Sequence, residues 1–128
     1  MEAGNYDISK LLKTLYGRVD GIGERTFTSD RPKAVPDKME RFVVVELPVR
    51  LSDRHAYGET TARVRLYVRD KPSGVEDVEK AAEMQREVFR LFPWHADGYQ
   101  FGKPVTIPMG SDGNGFHIYA MQINVIIL

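Results

Sequence analysis

The sequence predicts an α+β fold, a mainly antiparallel sheet packed with two main helices, in one domain over residues 1–128. Three observations predict it. Two stretches repeat apolar residues at helical spacing, five others carry the β-branched or alternating pattern of strands, and the strand pairs are joined by turn-forming segments as hairpins are. A chain of 128 residues is of ordinary size for one domain and should bury roughly two thirds of its unfolded surface.

The first helix is predicted from Asp7, a capping residue, followed by Ile8, Leu11, Leu12, Leu15, Tyr16 and Val19 on one face and Lys10, Lys13 and Arg18 on the other. Gly17, Gly21 and Gly23 end it. A short strand at Thr26–Thr28 is followed by a connection through residue 41 rich in charge and holding Pro32 and Pro36, which reads as mobile. Phe42–Leu51 and Thr60–Arg69 are the next two strands, expected to form a hairpin. Ser52–Glu59 between them is long and polar for a hairpin loop and reads as a flexible tip, with a contact element as the alternative.

Ser73-Gly74-Val75-Glu76 has the form of a capping box, so the second helix is expected to start there. Its apolar stripe is Val75, Val78, Ala81, Ala82, Val88, Phe89 and Phe92; acids load its first turns and Arg86 and Arg90 its last. Pro93 should stop it after about 27 Å. Trp94 and His95 are assigned to a helix-to-strand loop. Gln100–Met109 then forms a strand, and Pro104 and Pro108, four apart, lack N–H groups on the same side. That places the strand at a sheet edge with a blunted free side.

The glycine-rich turn 110–115 leads into Phe116–Leu128, the least polar strand of all. His117, Tyr119, Met121, Ile123, Val125 and Ile127 point one way; Phe116, Ile118, Ala120, Gln122, Asn124, Ile126 and Leu128 point the other. Both sets are largely apolar, which predicts cover on both faces over much of the length. Extended, the segment spans roughly 43 Å, against a radius of gyration of about 14 Å for a domain of this size. Either it bends at a bulge, or its hairpin with Gln100–Met109 projects and is covered by another subunit.

Eighteen basic and eighteen acidic residues give no net charge, hence no bulk electrostatic case for nucleic acid or an anionic membrane. With no cysteine there are no disulfides, thiolate metal sites or Cys nucleophile. The amino terminus is unlike a signal peptide and no apolar run reaches the length of about 20 residues that spans a bilayer, so a cytosolic protein is expected. His55, His95 and His117 fall in different elements without metal-ligand or triad spacing. Residues 111–115 fail the calcium-loop pattern, because Phe116 stands where a ligand is needed. Gly21-Ile22-Gly23 lacks the third glycine of a dinucleotide fingerprint. No catalytic, metal or cofactor residue is assigned.

Arg63, Arg65, Tyr67 and Arg69 share one face of the Thr60–Arg69 strand. A solvated face is the simpler reading of any single arginine. Three guanidiniums and a phenol in one row nevertheless suit acidic groups on a partner, and these four are the interface candidates.

The order of elements resembles the tail terminator, or tail completion, proteins of long-tailed bacteriophages. The resemblance is carried by ISKLLKTLYGRV, RPKAVPDKMERFVVVEL, TARVRLYVRD, VEKAAEMQREVFRLF and HIYAMQINVIIL, which are patterns of order and spacing. It implies no enzymatic activity and no cofactor. It implies a homo-oligomeric ring, typically a hexamer, that ends the tail tube and meets the head connector, made in the host cytoplasm and carried in the virion tail. Partners would be the chain itself, the tube protein and the connector protein. The alternatives are another head-tail joining or minor tail protein, or a small ligand-binding module or enzyme in which His55, Tyr57 and arginines line a pocket.

Overall fold

Both helices form, and each starts on an aspartate. In the computed structural model, which describes residues 7–28, 35, 38–47, 52–54 and 57–128, α1 spans Ile8–Val19 and α2 spans Val78–Leu91. The Asp7 carboxylate accepts from the Lys10 backbone N–H at 3.0 Å, as predicted. α2 begins later than the capping-box pattern suggests. Gly74 adopts a φ of +84° and its N–H donates to the Lys71 carbonyl, so residues 71–75 close a turn and leave the helix to start at Asp77, which accepts from the Lys80 N–H at 3.1 Å. The 14 residues of α2 therefore run about 21 Å.

The strands are β1 (Thr26–Thr28), β2 (Arg41–Glu46), β3 (Ser52–Arg54), β4 (Tyr57–Arg69), β5 (Trp94–Ala96), β6 (Tyr99–Phe101), β7 (Val105–Ser111) and β8 (Phe116–Ile127). They make one sheet in the order β1-β2-β4-β8-β6-β5, with β3 also on β4 and β7 also on β8. Among the described residues only β1 and β2 pair in parallel. The expected hairpin of the second and third strands is β2 against β4. It is longer than expected, because β3 continues the ladder from Ser52↔Glu59 to Arg54↔Tyr57 where the sequence suggests a loose tip. His55 lies outside the described residues.

Trp94–Ala96 is also a strand and not a loop. It pairs with β6 through a turn at Asp97 and Gly98, whose φ values of 54° and 85° are those of a tight hairpin turn that Asp-Gly favours.

The terminal strand neither bends at a break against β4 nor pairs only with the preceding strand. β4 and β8 run in unbroken register from Gly58↔Ile127 to Arg69↔Phe116, two long strands matched to each other. On its other side β8 holds β7 along its first half and β6 along its second. The irregularities sit in that outer chain. Between Phe101↔Val125 and Val105↔Gln122 it has one residue more than β8, and the register shifts again between Pro108 and Gly110. The predicted strand Gln100–Met109 is thus a broken edge made of β6 and β7.

The helices cover one face. Leu11, Leu15 and Val19 of α1 and Ala81, Met84 and Val88 of α2 pack on Val43, Val45, Val64, Leu66, Met121, Ile123 and Val125. Arg18 ties the helices together: Nε and Nη2 donate to the Leu91 carbonyl at 3.2 and 2.9 Å, and the guanidinium lies 4.6 Å from the Trp94 ring centre. The opposite face has a smaller core at one end, where Phe42, Val44, Tyr67 and Phe116 meet Met39, with Phe27, Val35 and Ile118 against them. Double cover of β8 is therefore confined to its first half; Asn124 is exposed.

Candidate functional site

Alternation puts Arg63, Arg65, Tyr67 and Arg69 on the face of β4 away from the helices, but they do not form a row presented to solvent. Tyr67 is only 2% exposed. Its ring stacks on Phe42 at 4.4 Å with an interplanar angle of 13°, and Phe42 meets Phe27 and Phe116 edge-on at 5.7 and 5.2 Å. Strand alternation tells which residues share a face but not what lies over them. Here the cover comes from Met39 and Val35, in the proline-rich connection.

Each arginine is engaged within the chain. Arg69 Nε donates to the Met39 carbonyl at 2.8 Å, and its guanidinium lies 4.5 Å from the Phe116 ring centre, so it pins the covering segment to the sheet. Arg65 Nε stands 3.3 Å from Glu46 Oε1. Arg63 Nε donates to Gln122 Oε1 at 3.4 Å. Arg63 and Arg65 are partly exposed, so the face is open at their end and closed at Tyr67.

An exposed apolar stretch lies two strands out from β4, beyond β8. Val105, Ile107 and Met109 of β7 are 61%, 38% and 46% exposed. Val105 and Ile107 pair with Gln122 and Ala120, which pair in turn with Arg63 and Arg65. Val105 and Ile107 therefore border the open part of that same face, and Met109 follows at the register shift between Pro108 and Gly110. β7 is an edge, as its prolines predict, since among the described residues its only ladder is with β8.

Thr106 points to the helix side. Its hydroxyl accepts from Gln85 Nε2 at 2.7 Å and lies 3.3 Å from Met121 Sδ. With Pro108 it forms one wall of a groove of about 230 Å³, whose other wall is Val78, Ala82 and Gln85 of α2, with Tyr119 of β8 between them and Glu76 at the helix start. The Tyr119 hydroxyl is buried and has no hydrogen-bond partner among the described residues. Val78 is 61% exposed, so both sides of the β7 edge carry apolar surface.

Several other polar groups have structural partners. His117 Nδ1 lies 2.6 Å from Asp70 Oδ1 at the base of the β7–β8 hairpin. In the glycine-rich turn, Asp112 Oδ1 accepts from the N–H groups of Asn114 and Phe116 at 2.7 and 3.1 Å, a turn role that accounts for the aspartate where a calcium loop would use it as ligand. Glu40 accepts from Lys80 Nζ at 2.8 Å, and this bond holds its carboxyl below the ordinary glutamate range. A shallow depression of about 300 Å³ is lined by Arg41, Glu83, Arg86 and Glu87, where Arg41 and Glu83 pair at 3.3 Å. Tyr57 begins β4, and its side chain lies outside what the structure describes.

No helix among the described residues is long and apolar enough to cross a membrane. A comparison with protein-family models finds no match, and a comparison with curated proteins finds none either.

Proposed function

We propose that this chain is a structural subunit that works by assembling with copies of itself, as a tail-terminator-like ring that ends a phage tail tube and meets the head connector. One observation carries the assembly reading. Three large apolar side chains, Val105, Ile107 and Met109, stand 38–61% exposed along an edge strand, and covering what remains open is worth about 1 kcal/mol each. An edge of this kind is ordinarily blunted or covered. The order of elements, from the capped α1 to the long terminal β8, supports the family likeness. In this reading the chain brings no chemistry of its own; it is made in the host cytoplasm and ends in the virion tail, with the tube and connector proteins as neighbours.

A ligand-binding module would use the groove between α2 and β7. At about 230 Å³ it is below the roughly 300–1,000 Å³ of small-molecule sites, and it suits side chains of a protein partner better; the depression of about 300 Å³ at Arg41 and Glu83 reaches that range but is lined mostly by charged side chains, unlike the largely apolar walls of such sites. Another head-tail joining component remains the nearest rival, and neighbouring genes separate the two.

The test is mass in solution across protein and salt concentration, negative-stain imaging, and addition to purified tail tubes. Annuli of uniform size that cap the tubes are expected. A chain that stays monomeric at high concentration and leaves tubes unaltered overturns the proposal.

A further inference from the structure

Taking the assembly reading as its starting point, we infer that the contact between copies is head-to-tail: the Val105–Ile107–Met109 column of one copy seats in the α2–β7 groove of the next. The two surfaces lie on opposite faces of the same edge strand. Val105 and Ile107 border the open face, whereas Thr106 and Pro108 line the groove on the helix side. A contact joining one patch to a different patch is heterologous, and such contacts close into rings when the rotation between copies permits.

Size and charge favour a second copy as the occupant. From Val105 to Met109 the column runs about 13 Å, and from Val78 to Gln85 the helix wall runs about 10 Å. Lys103, exposed, stands two residues before Val105, and Arg63 flanks the column through Gln122. The groove carries Glu76 at its end and exposed Glu79 on the first turn of α2. Cations beside the knob thus face carboxylates beside the hole.

The test mixes two variants at exposed positions, each first checked for parental circular dichroism and melting. Ile107→Asp spoils the column and leaves the groove; Val78→Arg spoils the groove and leaves the column. Val105→Asp and Ala82→Lys replace them if either fails to fold. Analytical ultracentrifugation at matched concentration compares the parent, each variant and their equimolar mixture. Each variant alone should associate about thirty-fold more weakly or worse, and the mixture should form a heterodimer that grows no further.

A parent that associates while both variants associate equally well overturns this contact and leaves the assembly reading standing. A parent that is monomeric at every concentration and leaves tail tubes unaltered overturns both. Loss in Ile107→Asp with no effect of Val78→Arg marks a symmetric column-to-column contact, and monomeric parent that binds tail tubes through Val78 assigns the groove to the tube protein; either result overturns the inference.

Discussion

Replacing Tyr67 by alanine separates a surface role from a core role for the arginine and tyrosine row. The ring is 2% exposed and stacks on Phe42 at 4.4 Å, in a cluster that includes Phe116 and Met39. Truncating a buried aromatic costs about 3–5 kcal/mol through lost transfer energy and the cavity left behind. The stacked geometry adds about 0.5–1.5 kcal/mol, part of which is already counted in measured truncations, so about 4 kcal/mol is the working figure. At roughly 2.1 cal/mol/K of unfolding entropy per residue, the 128 residues give about 0.27 kcal/mol/K, and the melting temperature should fall by about 15 °C.

The assay is thermal melting by circular dichroism at low concentration, where association contributes little. Ile107→Asp is the contrast, since that side chain is 38% exposed at an edge and its replacement should move stability by no more than about 1 kcal/mol. A Tyr67→Ala chain that melts within about 3 °C of the parent, yet no longer assembles, would refute the assignment of Tyr67 to the core and return it to the interface.

Three further outcomes follow from local geometry. Asp77→Ala removes the cap that accepts from Lys80 N–H and should cost about 1 kcal/mol, whereas Ser73→Ala, in the turn before the helix, should change the denaturation midpoint by less than about 0.3 kcal/mol; equal losses would restore the capping box. Gly17→Ala, inside α1 with nothing within 4 Å of the new methyl, should stabilise by about 0.5–1 kcal/mol, while Gly23→Ala, whose methyl would come 2.9 Å from Phe42 Cα, should destabilise by about 1–3 kcal/mol, and melting curves that rank the pair otherwise would sink the argument. Glu40 is held below the ordinary glutamate range first by its bond to Lys80, so the stability it contributes is present above that range and lost as pH falls through the lowered value. Lys80→Ala should therefore move the Glu40 carboxyl titration, followed by carbon NMR, upward, and narrow the stability gap to the parent on acidification.

Much of the architecture was legible because several signals were local. Asp7 caps α1, Thr26–Thr28 forms a strand, and the paired prolines mark β7 as an edge, each from residue chemistry that does not depend on distant contacts. The start of α2 was not legible in the same way. Ser73 and Asp77 are both capping residues, and the left-handed backbone at Gly74 decides between them. The β5–β6 hairpin had a usable signal in Asp97-Gly98 between aromatic residues, but strands of three residues carry too little periodicity to stand out.

The surface was harder to read than the fold. Arg63 to Arg69 alternate perfectly, yet the exposure of Tyr67 depends on Met39 and Val35, which reach it from a segment whose prolines and charges read as mobile, and on Phe27 of the short β1. Val105 and Ile107 have the composition of a core strand, and only the position of β7 outside β8 leaves them open.

The prolines that identify β7 also bear on how copies could meet there. By alternation the backbone nitrogens of residues 104, 106 and 108 face away from β8, and at Pro104 and Pro108 they carry no hydrogen. A strand added to that edge would find one donor where it needs three. Strand addition is also self-propagating, because every added strand offers a fresh edge, whereas a side-chain knob in a groove consumes both of its surfaces and stops when the circle closes. An edge with apolar side chains and few backbone donors thus favours the second kind of contact over the first, the distinction that a finite ring requires and a fibre does not.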